Sequence, residues 1–427
     1  MSLSPESWRR GAVPAPLGKG KNTEDEMKEV DRMGWRAAVG AIVAVAAVQF
    51  AAAAVEPKGV PELMTAFDGK TKIETVAQWE GVRAPELLER FTRCEYGRRP
   101  VDRPDTLAFE LAEPDKLMMD GKAIRKRVRV SWKGPLASQS FVFTAFIPVT
   151  AKERPAPGFI LICNRPAAEN IDPERVKKSG FWPAERIVER GYAAIAFWNG
   201  DVAPDDSKGG CSKGVHACWA KERTAESWGA LSAWAWGASR VMDWIETEPL
   251  LDAKHVAVVG HSRGGKTALV AGVYDRRFAM ACSNCSGCSG AKLNHIALPK
   301  SESVARISKT FPHWFCLNYA NFAGKEFEMD FDQHEFIALI APHLVCVASA
   351  TKDFWAGQRG EWWSAKLASP AWELYGKKGL AADSFPAPDA PQQEGCVSYH
   401  IRTGIHNLTP YDWDRYMDFA DRHGWRK

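Results

Sequence analysis

Neither charge sign dominates this chain: 56 Lys+Arg against 52 Asp+Glu leave a formal net charge of +4 over 427 residues. That balance is too small to advertise a nucleic-acid partner. Cysteine is sparse, with ten residues in 427, too dilute for a disulfide scaffold. No internal repeat and no low-complexity linker follows residue 54, which excludes a solenoid or a propeller. With 45% hydrophobic and 25% charged residues the chain is neither disordered nor collagen-like. Long apolar runs are absent except at 37–54. Cys282, Cys285 and Cys288 have a C-x-x-C-x-x-C spacing, yet no second Cys/His cluster completes a metal site, so no metal is expected there. Tryptophan alone is plentiful, at 18 residues.

The apolar run 37–54 carries no charge, follows Arg32 and Arg36, and ends in small residues. A positive region, an apolar stretch and an A-x-A-like end describe a secretory signal peptide, with cleavage expected near Ala53 or Ala54. The run is short for a bilayer span, so no stable membrane partner is expected. Met33 is a natural start within the polar leader. Residues 1–54 are therefore assigned as leader and signal peptide. Residues 55–427 are assigned as one domain, secreted or periplasmic and monomeric. In an oxidising compartment, Cys211 and Cys218 are the first candidate disulfide pair.

Along the folded part, 60–100 reads as a helical lead-in. The segments 124–132 and 139–149 alternate and are β-branched, as expected for an antiparallel pair. Short apolar strands are then expected at 158–163, 192–198, 255–259, 278–283, 344–350 and 398–402. Helical patterns fall at 182–190, 228–248, 264–273, 361–375 and 412–423. A long insertion, 200–224, holds Asp205, Asp206 and the two loop cysteines. Short strands alternating with helices argue an α/β fold whose central sheet is mostly parallel, with helices on both faces.

Gly260-His261-Ser262-Arg263-Gly264 has the form G-x-S-x-G. On its own that pattern arises by chance. Here a predicted strand precedes it and a predicted helix follows, the context of a nucleophile elbow that projects Ser262. The base is expected in the loop after the last strand, where Thr403-Gly404-Ile405-His406-Asn407 supplies His406. His400 lies inside that strand and His334 opens a helix, so both are assigned packing roles. The acid is expected after strand 344–350, which is followed by Thr351-Lys352-Asp353. Asp353 would orient His406, which takes the Ser262 proton and returns it to a leaving alcohol.

Gly260-His261-Ser262-Arg263-Gly264-Gly265-Lys266 resembles the G-[CH]-S-R-x-G-K signature of the glucuronoyl esterases, carbohydrate esterase family 15. The resemblance runs from about 158 to the C-terminus through Ser283-Asn284-Cys285-Ser286-Gly287, Phe311-Pro312-His313-Trp314-Phe315, Asp332-Gln333-His334, Ala341-Pro342 and 399–406. It implies an α/β-hydrolase fold without metal or cofactor. The implied substrates are esters joining glucuronic or 4-O-methylglucuronic acid on xylan, as in lignin–carbohydrate complexes, to lignin alcohols. It also implies that Arg263 stabilises the oxyanion and that Lys266, Glu302 and Trp355 contact the sugar.

Two positions depart from the fungal pattern. Cys285 stands where fungal members carry the acid Glu, which puts Asp353 forward as in some bacterial members. His261 and Asn407 stand where the fungal disulfide would be. Another carbohydrate esterase, such as an acetyl xylan esterase, and a non-catalytic carbohydrate-binding relative are the competing readings.

Overall fold

The computed structural model describes residues 55–426. The expected leader and signal peptide, including the cleavage positions Ala53 and Ala54, lie outside the described residues. Among those residues no helix is long and apolar enough to cross a membrane.

The lead-in is helical, as its sequence suggests, and its longest piece is α1 (Ala84–Phe91). Nine strands follow: β1 (Ala108–Met118), β2 (Ala123–Lys133), β3 (Ser138–Pro148), β4 (Ala156–Cys163), β5 (Ala193–Trp198), β6 (Leu251–His261), β7 (Met280–Asn284), β8 (Leu344–Ala350) and β9 (Val397–Arg402). They form one sheet in the order β1-β2-β3-β5-β4-β6-β7-β8-β9. The expected pair 124–132 and 139–149 is β2 and β3, antiparallel in unbroken register from Ala123↔Pro148 to Lys133↔Ser138. From β5 through β9 every neighbouring pair is parallel. β1 is not predicted by periodicity, because its residues Glu110, Glu113, Asp115 and Lys116 make it polar. It is an edge strand, where charge guards against further pairing.

Every residue of β4, β7, β8 and β9 is buried. Successive side chains in a strand point to opposite faces, so both faces of this part of the sheet are covered. The helices after the lead-in include α2 (Ala184–Glu189), α3 (Ala230–Ile245), α4 (Arg263–Tyr274), α5 (Val304–Thr310), α6 (Gln333–Ala338), α7 (Gln358–Leu367), α8 (Pro370–Leu374) and α9 (Pro410–Arg422), of which α2, α3, α4, α7 and α9 pack on the sheet. The helix expected at 361–375 is thus two, α7 and α8. Pro370 has no N–H to continue the ladder, and it opens the second helix. All sixteen residues of α3 are buried, against α4 and the sheet. Trp234 and Trp236 are in its core, with Trp132 packed edge-on at 4.9 Å from Trp236.

The expected Cys211–Cys218 disulfide does not form: both thiols are free, as are the other eight. The Cys211 thiol instead donates to the His313 carbonyl at 3.3 Å, which draws it away from Cys218.

Candidate active site

The C-terminal ends of the parallel strands carry the chemistry, the usual place for a site in an open α/β sheet. Ser262 sits between the end of β6 and the start of α4 with φ 58° and ψ −124°. That left-handed backbone costs a non-glycine residue on the order of 1–3 kcal/mol, and it points the side chain out of the turn. The flanking glycines make the turn possible. A Cβ at Gly260 would meet the Gly264 carbonyl oxygen at 1.9 Å, and one at Gly265 would meet the Asn284 oxygen at 2.9 Å. The Ser262 amide donates to the Asn284 carbonyl at 2.8 Å, and its own carbonyl starts α4 by accepting from Gly265 and Lys266. The amide of Arg263, first in the helix, has no intrahelical acceptor and belongs to the positive helix end.

His406 lies in the loop after β9, and Asp353 in the loop after β8. The two meet: His406 Nδ1 is 2.5 Å from Asp353 Oδ2. The Asp353 side chain is 3% exposed and that of His406 39%, so the carboxylate is enclosed while the imidazole faces the cleft. Arg402 braces the His406 loop by donating to the carbonyls of Ile405 and Asn407 at 2.8 and 2.5 Å. His400 and Arg402 in turn hold the two oxygens of buried Asp412, so His400 packs the structure as its place inside the strand suggests. His334 is buried and its Nε2 lies 3.1 Å from the Pro61 carbonyl, again a packing role.

His261 packs beside the base, its ring centre 4.3 Å from that of His406 and tilted 49° to it. Its Nδ1 is 2.7 Å from Asn284 Oδ1. Burial, with help from the neighbouring His406, pushes its pKa well below the ordinary value, so it packs as a neutral ring. Cys285 follows β7 with φ 47°, and its sulfur, an Asp353 oxygen and a His406 nitrogen lie within 4.8 Å of one another. Burial and the charges of Glu361 and Asp353 push this thiol well above its ordinary value. A neutral thiol is a poor metal ligand and a poor acceptor from imidazolium.

Arg263 reaches sideways from the elbow. Its Nε lies 2.7 Å from Asp205 Oδ2, and its Nη2 donates to the Asn164 carbonyl at 3.3 Å. A cavity of about 740 Å³, lined by Asn164, Arg165, Trp198, Pro204 and Arg263 among others, opens on this β4–β5 side. Lys266, Glu302 and Trp355 gather on the opposite, β7–β8 side. Lys266 Nζ is 3.0 Å from Glu302 Oε2 and also donates to the carbonyls of Ser286 and Cys288. Those three acceptors match its three N–H groups, and Lys266 is 2% exposed. The sequence alone does not show this enclosure: a sugar hydroxyl meets Lys266 only by sharing one of these acceptors' places. The Glu302 amide donates to the Trp355 carbonyl at 2.8 Å, tying the two loops together. The Trp355 ring is half-exposed beneath the Arg306 guanidinium, 4.8 Å away.

A family model described as "Glucuronyl esterase, fungi" matches residues 165–376. The carbohydrate esterase MZ0003, from an unknown prokaryotic organism, is 35% identical over 395 residues, covering 85% of this chain and 89% of that protein. The chain is a member of the glucuronoyl esterases, carbohydrate esterase family 15. Among solved structures, a glucuronoyl esterase from Solibacter usitatus is 33% identical with a TM-score of 0.79, covering 87% of this chain and 99% of that one. A promiscuous esterase of the family from a marine bacterial metagenome is 33% identical with a TM-score of 0.76, covering 86% and 98%. The fold of this glucuronoyl esterase is thus the α/β-hydrolase fold that its motif resemblance implies.

One buried acid of the esterase has no part in the sequence reading. Glu361, on α7, is fully buried behind Cys285 and accepts from the amides of Ser286 and Gly287 and from the Ser349 hydroxyl. Burial outweighs these bonds and pushes its pKa from 4.5 to about 7. The folded protein therefore keeps this proton at pH values where the unfolded chain has released it. Unfolding releases a proton in that window, so stability falls as pH rises from the unfolded to the folded value, by about 3 kcal/mol. In Glu361→Gln this contribution is absent. Urea unfolding at pH 5 and pH 7.5 is expected to show wild type losing ground to the variant at the higher pH. A constant difference would contradict the assignment.

Proposed function

We propose that this chain hydrolyses esters between glucuronic or 4-O-methylglucuronic acid on glucuronoxylan and lignin alcohols, through an acyl-enzyme on Ser262. The His406–Asp353 contact beside the Ser262 elbow carries this reading. The Nδ1–H of His406 is committed to Asp353, which leaves Nε2 to take the Ser262 proton as Oγ attacks the ester carbonyl. The oxyanion is met by the Arg263 amide and guanidinium. When the tetrahedral species collapses, the acyl–oxygen bond breaks and His406 gives its proton to the departing alcohol. Water then repeats the attack with His406 as base, and the free uronic acid leaves. No metal or cofactor enters any step.

The uronate is assigned to the β7–β8 side, where Lys266 fixes Glu302 and Trp355 offers an indole face to a pyranose ring. A relative from Podospora anserina, 30% identical over 53% of this chain and 47% of its own length, is named a 4-O-methyl-glucuronoyl methylesterase. That name supports the substrate class. The apolar segment 37–54 supports export to the periplasm or beyond, and the one compact unit from Glu56 onward supports a single folded domain.

Trp355→Ala is expected to raise KM for methyl glucuronate about tenfold while leaving hydrolysis of p-nitrophenyl acetate unchanged. Equal effects on both esters, or none on the uronate, would remove the sugar from this side. A fluorophosphonate probe should label wild type at Ser262, and absence of labelling would favour a non-catalytic carbohydrate binder.

A further inference from the structure

The insertion 200–224 has no role in the chemistry described so far, yet one of its side chains reaches the nucleophile's neighbour. Asp205 Oδ1 accepts from the Trp314 indole N–H at 2.8 Å and lies 2.7 Å from His313 Nε2. These contacts fix the carboxylate plane. Its second oxygen, Oδ2, is then presented to Arg263 Nε at 2.7 Å. Burial pushes the Asp205 pKa up, but bonding from His313 and the Arg263 charge more than offset this and hold it below the ordinary carboxylate range. Asp205 is therefore an anion throughout the neutral range.

Arg263 needs such a partner. Its side chain is 31% exposed, and an arginine side chain without fixed partners samples many rotamers. An oxyanion donor works by being in place before charge develops, so a wandering guanidinium contributes little. Three different segments fix this one. The Asp205 carboxylate forms an ion pair at Nε, the Asn164 carbonyl accepts from Nη2 at 3.3 Å, and the Trp314 ring lies 5.8 Å from Cζ.

We propose that Asp205 is a positioning residue of the esterase: it holds Arg263 so that Nη1 meets the developing oxyanion. The inference rests on the reading of Arg263 as an oxyanion donor. The carboxylate does reduce the net positive field at the site. The proposal requires that orientation outweighs this loss, which makes the sign of the effect testable.

Asp205→Asn is the informative variant, because it keeps an oxygen for the indole and imidazole and removes the charge facing Nε. On benzyl glucuronate its kcat is expected to fall roughly 10- to 100-fold with KM nearly unchanged, since only transition-state binding is lost. Asp205→Glu, which keeps the charge but shifts it, should fall less. In an Arg263→Gln background, Asp205→Asn should cost nothing further, and the thermal midpoint should follow wild type. Unchanged or increased kcat in Asp205→Asn would overturn the proposal. So would equal losses in both backgrounds, or a loss confined to KM. The same cycle on p-nitrophenyl acetate separates this inference from the substrate assignment. If glucuronate esters are untouched but acetyl ester cleavage shows the same non-additivity, the substrate reading fails and Asp205 keeps its role. If Arg263→Gln alone leaves kcat intact on both esters, the oxyanion reading and this proposal fall together.

Discussion

Ser262→Ala is expected to lower kcat on a glucuronate ester by roughly 10⁶-fold, with loss of all fluorophosphonate labelling. Ser262 holds φ 58° and ψ −124°, between glycines whose replacement would collide with backbone. Folding tolerates that strain only because the end of β6 and the start of α4 fix both sides of the turn. The strain also gives a control. Ser262→Gly removes the Cβ from a left-handed position and should be about 1 kcal/mol more stable than wild type, while being equally inactive. Opposite effects on stability and activity at one residue would mark it as functional. Activity in Ser262→Ala above about one part in a thousand of wild type would move the nucleophile elsewhere.

Asp353→Asn is expected to cost about 10⁴-fold in kcat with the fold intact. Asparagine can still touch His406, but its amide favours the wrong imidazole tautomer and offers no charge to the imidazolium. Two neighbours could compete for the acid's role. Cys285 occupies the position where fungal members carry Glu, yet its buried thiol is pushed well above its ordinary value and stays neutral. Glu361 is a carboxyl, but it is pushed up to about 7 and its oxygens are spent on Ser286, Gly287 and Ser349. Among the described residues, Asp353 is the carboxylate within hydrogen-bond distance of the His406 ring, at 2.5 Å. Cys285→Ala should therefore retain most of the wild-type kcat. A large loss there, with Asp353→Asn nearly active, would transfer the acid to the β7 loop.

Much of this layout was legible in the chain itself, for identifiable reasons. The elbow is legible because Gly260 is sterically required and the G-x-S-x-G spacing is short. Asp353 is legible because it follows the mostly apolar run of β8, and His406 because it follows the last strand, the place the elbow fold gives the base. Partners far apart in sequence were not. Asp205 is 58 residues from Arg263, and Glu361 is 75 from Ser286, so no local pattern links them. The packing of His261 against His406 is hidden for the same reason. β1 was missed because an edge strand needs no apolar alternation, and the break before α8 was missed although Pro370 signals it. The cysteine expectation failed because compartment says which thiols can pair, whereas geometry decides which do.

The most direct test compares kcat/KM of the wild-type protein for benzyl 4-O-methylglucuronate and for p-nitrophenyl acetate in one buffer. The uronate ester is expected to be preferred even though its leaving alcohol is the poorer one, because the proposed sugar contacts, Trp355 and the Lys266–Glu302 pair, act only on the uronate. Rapid cleavage of the acetyl ester with no release of benzyl alcohol from the uronate would contradict it.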